Sequence, residues 1–412
     1  MQKDVPKYEY SRMIPSLVSL AVIVIGLRVL GPQEYGQYII YYSTAIFVST
    51  LTFGWIRQSL QRFMCVPQEQ HLLLVNRFFY ITVASILAGI LIIGCVLLIL
   101  FRMHWPEIII LTGFYSLYTL FEFHLSIHRA WLQNRFATWL EGCYYGLFIG
   151  MALFFVFRMG FKDYRALILS MVFSILLVEV GRFFILSKER TRISISTRHI
   201  DSRFLKKVFH FGQPATIWLV SFYALSIADR FILKWYRGFE TTGIYSGISD
   251  LMFVVVTLLC MPILLSYQPK ILEKWTSGHR DEAIALINEA LSFEFLTGVV
   301  VFILFMILRQ TLYYRFLGIN VDGIFPLSVI MLINALLWQA ILLIQKPLEM
   351  ITYQRYKNGI MLACMAGNIT ANIIFIPHFG FLAAAWIALG SNVLYLLFLS
   401  WFYRNLNRKM AK

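Results

Sequence analysis

Twelve mostly apolar runs of about 20 residues, the length a helix needs to cross a bilayer, follow one another with short connections. They fall at roughly 12–31, 36–57, 77–101, 107–127, 138–158, 165–186, 211–235, 243–266, 288–309, 325–345, 357–376 and 381–402. No soluble core of this size hides so much apolar sequence. The chain is 59% hydrophobic and 14% charged, against about 25% charged for a soluble domain. The expected fold class is therefore an all-α polytopic membrane protein with about 12 transmembrane helices.

The longest polar interruption runs from Ser187 to His210 and carries Lys188, Arg190, Arg192, Arg198, Arg203, Lys206 and Lys207. Cations beside apolar runs are retained on the cytoplasmic side, so this segment reads as a basic cytoplasmic linker (187–210) between an N-terminal six-helix lobe (1–186) and a C-terminal one (211–412). A nucleic-acid-binding reading of the linker is set aside, because its context is lipid. With the N-terminus inside, alternation places 25 of the 36 basic residues in cytoplasmic segments and nine at outer ends, with Arg182 and Arg230 inside spans. That bias predicts cytoplasmic N- and C-termini. Gly36 and Gly243 open spans 2 and 8 in similar contexts, which suggests two parallel six-helix repeats related by a pseudo-twofold axis along the membrane normal.

Chemistry-bearing motifs are few. There is no phosphate-binding loop, HExxH or GxSxG, and no outer connection is long enough for a catalytic domain, so a transporter is expected rather than an enzyme. The five cysteines, Cys65, Cys95, Cys143, Cys260 and Cys364, form neither a CxxC nor an extracellular disulfide framework. Lys3, Lys7 and Arg12 precede the first apolar run without a cleavage pattern, so that run is expected to stay as a helix. Glu122, His124 and His128 are read as interfacial residues rather than a metal site. Gly142, Gly146 and Gly150 are read as a helix-packing stripe, and Pro214 and Pro262 as kinks in spans 7 and 8.

Ionisable groups inside spans normally face a partner or a wet cavity. Arg28 lies near the outer end of span 1, Asp229 and Arg230 near that of span 7, and Asp250 in span 8. Glu179 and Arg182, three residues apart in span 6, can satisfy each other. Neighbours on a helix point about 100° apart, so Arg230 is expected to line a cavity and Asp229 to orient it or pair across the bundle. Asn368 and Asn372 share a face of span 11, while Asn334, Gln339 and Asn392 lie inside spans 10 and 12. Such amides bind sugar hydroxyls or join helices.

Three segments resemble the O-antigen-type polysaccharide flippases of the multidrug/oligosaccharidyl-lipid/polysaccharide exporter superfamily. They are Arg28-Val-Leu-Gly-Pro-Gln-Glu-Tyr-Gly-Gln-Tyr38, Ala228-Asp229-Arg230 with Gly243-Ile-Tyr-Ser246, and Gly367-Asn-Ile-Thr-Ala-Asn372 with Ile376-Pro-His-Phe-Gly-Phe-Leu-Ala-Ala-Ala-Trp386. Ala383 stands where the family often has glycine. The resemblance covers essentially the whole chain and implies a MATE-like two-lobe fold. It also implies alternating access and translocation of an undecaprenyl-diphosphate-linked oligosaccharide to the outer leaflet of a bacterial plasma membrane.

Under that implication Arg28, Arg230, Asp229, Asp250, Arg182, Asn368 and Asn372 are the candidate substrate-binding residues. No cofactor or metal is expected, and coupling to H+ or Na+ stays open. The expected partners are the lipid-linked oligosaccharide, the membrane and other glycan-assembly proteins, with no nucleic acid. Three rivals stand beside this reading: a cation-coupled multidrug exporter of the same superfamily, a membrane enzyme of glycan assembly, and a structural scaffold for a glycan-assembly complex.

Overall fold

The computed structural model describes residues 5–64, 71–99, 105–131, 133–186, 202–346 and 354–410. Much of the basic linker, with Lys188, Arg190, Arg192 and Arg198, lies outside them, as does Cys65. The described residues are helical, with no strand among them.

In chain order α1 is Val5–Val24, continued by a π-helical turn Ile25–Leu30, and α2 is Pro32–Phe63. Then come α3 (His71–Ile99), α4 (Trp105–Ala130), α5 (Asn134–Leu153) with a π-helical turn Phe154–Arg158, and α6 (Arg165–Leu186). The helix α7 is Ser202–Thr276, α8 is Arg280–Gln310 with a π-helical turn Thr311–Leu317, α9 is Ile324–Ile344, and α10 is Gln354–Met410.

Two of these are too long for one crossing. At 75 residues a straight α7 would run about 110 Å. It breaks at Gly238 (φ 83°, ψ 179°) into α7a (202–237) and α7b (239–276). Likewise α10 breaks at Gly380 (φ 63°, ψ −144°) into α10a (354–379) and α10b (381–410). Both φ values lie where only glycine is unstrained. The described residues thus form twelve helical segments, in line with the twelve apolar runs. Helical dihedrals continue through Pro214 and Pro262, and the helix is interrupted between them at Gly238.

By contact the chain divides into two compact units, residues 38–220 and residues 1–37 with 221–412. The six-helix lobes drawn from sequence symmetry are a different kind of division, and remain an expectation.

In the 38–220 unit, Phe53, Ile56, Leu60, Phe78, Phe123 and Val208 pack as one buried cluster. Lipid tails are as apolar as such side chains, so polar contacts add to the cohesion. Thr52 Oγ1 lies 2.9 Å from the Tyr115 hydroxyl, which donates to the Ser85 carbonyl at 3.1 Å. Ser49 meets Thr119 at 3.1 Å. Gly212 seats directly on the Trp55 carbonyl. The start of α7a sets cations over rings: Arg77 over Phe204 at 5.1 Å and Lys207 over Phe63 at 5.3 Å, a pairing suited to a membrane interface. Two of the three stripe glycines of α5 do not pack as expected. Gly146 and Gly150 are exposed with open space around them, while α5 buries Tyr144, Phe148 and Ala152 instead.

In the other unit, Leu264 and Ile271 of α7b, Ile287 and Ala290 of α8 and Leu343 of α9 share one buried cluster. Gly36 lies against the carbonyl of Phe239, and Gly243 against the carbonyl of Pro32. The two glycines that mark the sequence repeat are thus each other's packing partners, and a methyl group at either would strike backbone.

Candidate functional site

The Arg28–Tyr38 segment is a joint between helices. Gly31 (φ 95°) ends the π-helical turn, Pro32 starts α2 where its missing N–H costs nothing, and the Tyr35 N–H closes the turn on the Gly31 carbonyl at 3.0 Å. Tyr35 is buried and covers Gly26. Arg28 differs from its neighbours. It is exposed, its stem runs past Gly318, and among the described residues its guanidinium has no carboxylate partner.

Asp229, Arg230 and Asp250 converge around the Gly238 break. Arg230 donates from Nη1 to Asp250 Oδ2 at 3.1 Å and from Nη2 to Asp250 Oδ1 at 2.5 Å. This is the forked geometry that makes guanidinium–carboxylate pairs strong. Asp229 is buried and accepts a hydrogen bond from the Tyr245 hydroxyl and another from the Arg230 backbone N–H. The two neighbours take different partners, Tyr245 and Asp250, and both tie α7a to α7b. The sequence did not reveal Tyr245, nor that Asp250 would be the partner of Arg230. Arg237, also missed, donates to the Pro377 carbonyl at 2.7 Å and so satisfies an acceptor freed by the Gly380 break.

Asn368 and Asn372 sit on one face, as expected, but are turned inward. Asn372 donates to Asn368 Oδ1 at 2.8 Å, and Asn368 donates to Ser391 Oγ at 2.9 Å. A second link joins Asn392 to Asn334 Oδ1 at 2.8 Å. Both candidate amides are buried, and these bonds join α10a to α10b and α10b to α9.

Arg182 lies in the other unit. Its Nε donates to Glu179 Oε2 at 2.9 Å, and its Nη2 lies 3.1 Å from His124 Nε2. Glu179 Oε1 is 3.0 Å from His124 Nδ1. A guanidinium only donates, so Nε2 is the acceptor and the proton sits on Nδ1, directed at Glu179. That makes His124 a neutral imidazole. Glu122, two residues away, instead meets Arg57 at 3.4 Å, and His128 meets Gln133 at 2.8 Å. The Glu122–His124–His128 group is therefore split three ways, and no group of three or more metal-ligating side chains occurs among the described residues.

Comparison with solved structures gives the class first. A multidrug resistance MATE family transporter of the MOP superfamily, in an inward-facing conformation, superposes with a TM-score of 0.72 at 12% identity over 95% of each chain. A MATE transporter in a straight conformation gives 0.64 at 14% identity over all of this chain and 97% of that one. A MOP-superfamily transporter from Pyrococcus furiosus, described by the reverse polarity of its binding pocket, gives 0.61 at 15% identity over 98% and 96%. The fold is that of a multi-pass MOP-superfamily transporter. A family model for polysaccharide biosynthesis proteins matches residues 9–275, and the chain belongs to that family. No curated protein sequence matches it.

Proposed function

We propose that the chain is a flippase that moves an undecaprenyl-diphosphate-linked oligosaccharide from the cytoplasmic to the outer leaflet of a bacterial plasma membrane. Family membership supports glycan assembly as the setting. The observation that carries the chemistry is Arg28, an exposed guanidinium at a helix joint with no carboxylate partner among the described residues. A diphosphate cannot enter hydrocarbon unaided, and a free guanidinium fork binds phosphate oxygens in pairs.

Arg230 enters this scheme by exchange. Its fork holds Asp250 in this conformation, and a phosphate would have to replace that carboxylate, with Asp229 keeping the backbone in place. Arg182 is engaged by Glu179 and His124 in the same manner, and Asn368 and Asn372 would meet sugar hydroxyls only if their mutual bond opened. Arg28 therefore ranks first among the candidates.

Deletion of the gene in its own host, with complementation by wild type and by Arg28→Ala at matched protein level, tests this reading. Loss of surface glycan with unchanged drug susceptibility supports the flippase. Drug sensitivity with intact glycan supports the multidrug exporter and overturns it.

A further inference from the structure

Glu294 is a buried acid that the site above does not use. It lies in α8, its side chain is only 4% exposed, and neither carboxyl oxygen has a hydrogen-bond partner. It takes no part in any ion pair among the described residues. The other buried acid discussed above, Asp229, has two donors.

Register shows what surrounds it. On α8, Ile287, Ala290, Glu294 and Gly298 share one face at helical spacing. Gly298 lies against Leu336 of α9, and Ile287 and Ala290 cluster with Leu343. Between Leu336 and Leu343 on that face of α9 sits Gln339, so Glu294 and Gln339 occupy the same layer. Gln339 is buried and donates to Thr257 Oγ1 of α7b at 2.9 Å, but its Oε1 is unpartnered. Thr257, Cys260 and Leu264 share a face of α7b, and Leu264 belongs to the cluster below. Three helices thus bring Glu294, Gln339, Thr257 and Cys260 into one polar layer between apolar ones.

The charge state follows. An ionised carboxylate without a partner is among the costliest groups to bury. The titratable group facing Glu294 is the Cys260 thiol, and α9 presents no titratable side chain on this face. On α8, Glu289 is bound by Tyr267 at 2.8 Å, and Arg309 sits at the far end over Phe325. Among the described residues no cation pairs with Glu294. The three orphan atoms, two on Glu294 and one on Gln339, are all oxygens, so what the layer lacks is a donor. A protonated acid supplies one O–H. Hard metal cations such as calcium take about six to eight oxygens, and this layer offers only the two of Glu294, one of Gln339 and the Thr257 hydroxyl.

We propose that Glu294 is a proton-binding site, carrying a neutral carboxylic acid in this conformation and releasing the proton when the Glu294–Gln339 layer opens to water. The proposal does not depend on the identity of the transported substrate. Infrared difference spectroscopy of the full chain in lipid nanodiscs tests it. The expected result at pH 7 is a protonated-carboxyl carbonyl band that disappears in Glu294→Gln and is unaffected when K+ is replaced by Na+. Gln339→Leu, which keeps the acid and removes the orphan acceptor, is expected to shift that band. No band lost in Glu294→Gln, or a band abolished by Na+, overturns the proposal. If Glu294→Gln does not fold, a wild-type band indifferent to Gln339→Leu overturns it as well.

Discussion

Arg230 gives both of its terminal nitrogens to Asp250, across the helix break at Gly238. The pair is mostly buried, with side-chain exposures of 12% and 26%, and runs beside the Tyr245–Asp229 bond. Together they staple α7a to α7b. Removing one member of a buried pair leaves a charge without compensation, at about 3 kcal/mol or more. Asp250→Ala and Arg230→Ala are each expected to lower the unfolding temperature in detergent. The double variant should lose less than the two singles summed, by about 1–3 kcal/mol. Additive losses would show that the fork contributes no coupling.

Gly36 and Gly243 face each other with backbone on both sides. Gly36→Val and Gly243→Val are expected to abolish monodisperse protein in size-exclusion chromatography, because a carbonyl cannot move aside as a side chain can. Gly146→Ala and Gly150→Ala meet open space and are expected to be neutral, or stabilising by about 0.5–1 kcal/mol.

The Glu179–Arg182–His124 group predicts an unequal pair of variants. Glu179→Gln leaves the Arg182 guanidinium without a counter-charge, whereas His124→Phe leaves the Glu179–Arg182 ion pair intact. Glu179→Gln should therefore lower the unfolding temperature more. Equal losses would place the weight of the group on His124.

Much of the architecture could be read from the chain, because runs of about 20 apolar residues have few alternatives in a bilayer. The Arg28–Tyr38 segment was legible as the connection between the first two helices through its resemblance, and its residues suit that place: Gly31 takes a positive φ that other residues avoid, and Pro32 has its φ fixed for a helix start. Partners across a break were not. Nothing in the spacing of Arg230, Tyr245 and Asp250 reveals how α7b folds back at Gly238. The stripe Gly142-x-x-x-Gly146-x-x-x-Gly150 was misleading because small residues permit close approach without specifying that a neighbour comes. Glu294 carried a signal, as an acid within an apolar run, but its lack of a partner shows only once α7b, α8 and α9 are in register.

Arg28 separates function from stability. Being exposed, with no carboxylate partner among the described residues, it should tolerate Arg28→Ala within about 0.5 kcal/mol, read as an unchanged unfolding temperature. Surface glycan in the host should nevertheless fall. Arg28→Lys keeps the charge but loses the fork, and is expected to restore glycan only in part. Full glycan with Arg28→Ala would remove this residue from substrate contact.

Reconstitution decides the central proposal. The purified chain in proteoliposomes, given a fluorescent polyprenyl-diphosphate oligosaccharide in both leaflets, can be followed by quenching from outside. Fast exchange between leaflets, slowed at least tenfold by Arg28→Ala at unchanged unfolding temperature, is the predicted result. Exchange no faster than in protein-free vesicles, with the chain folded and correctly inserted, would contradict it.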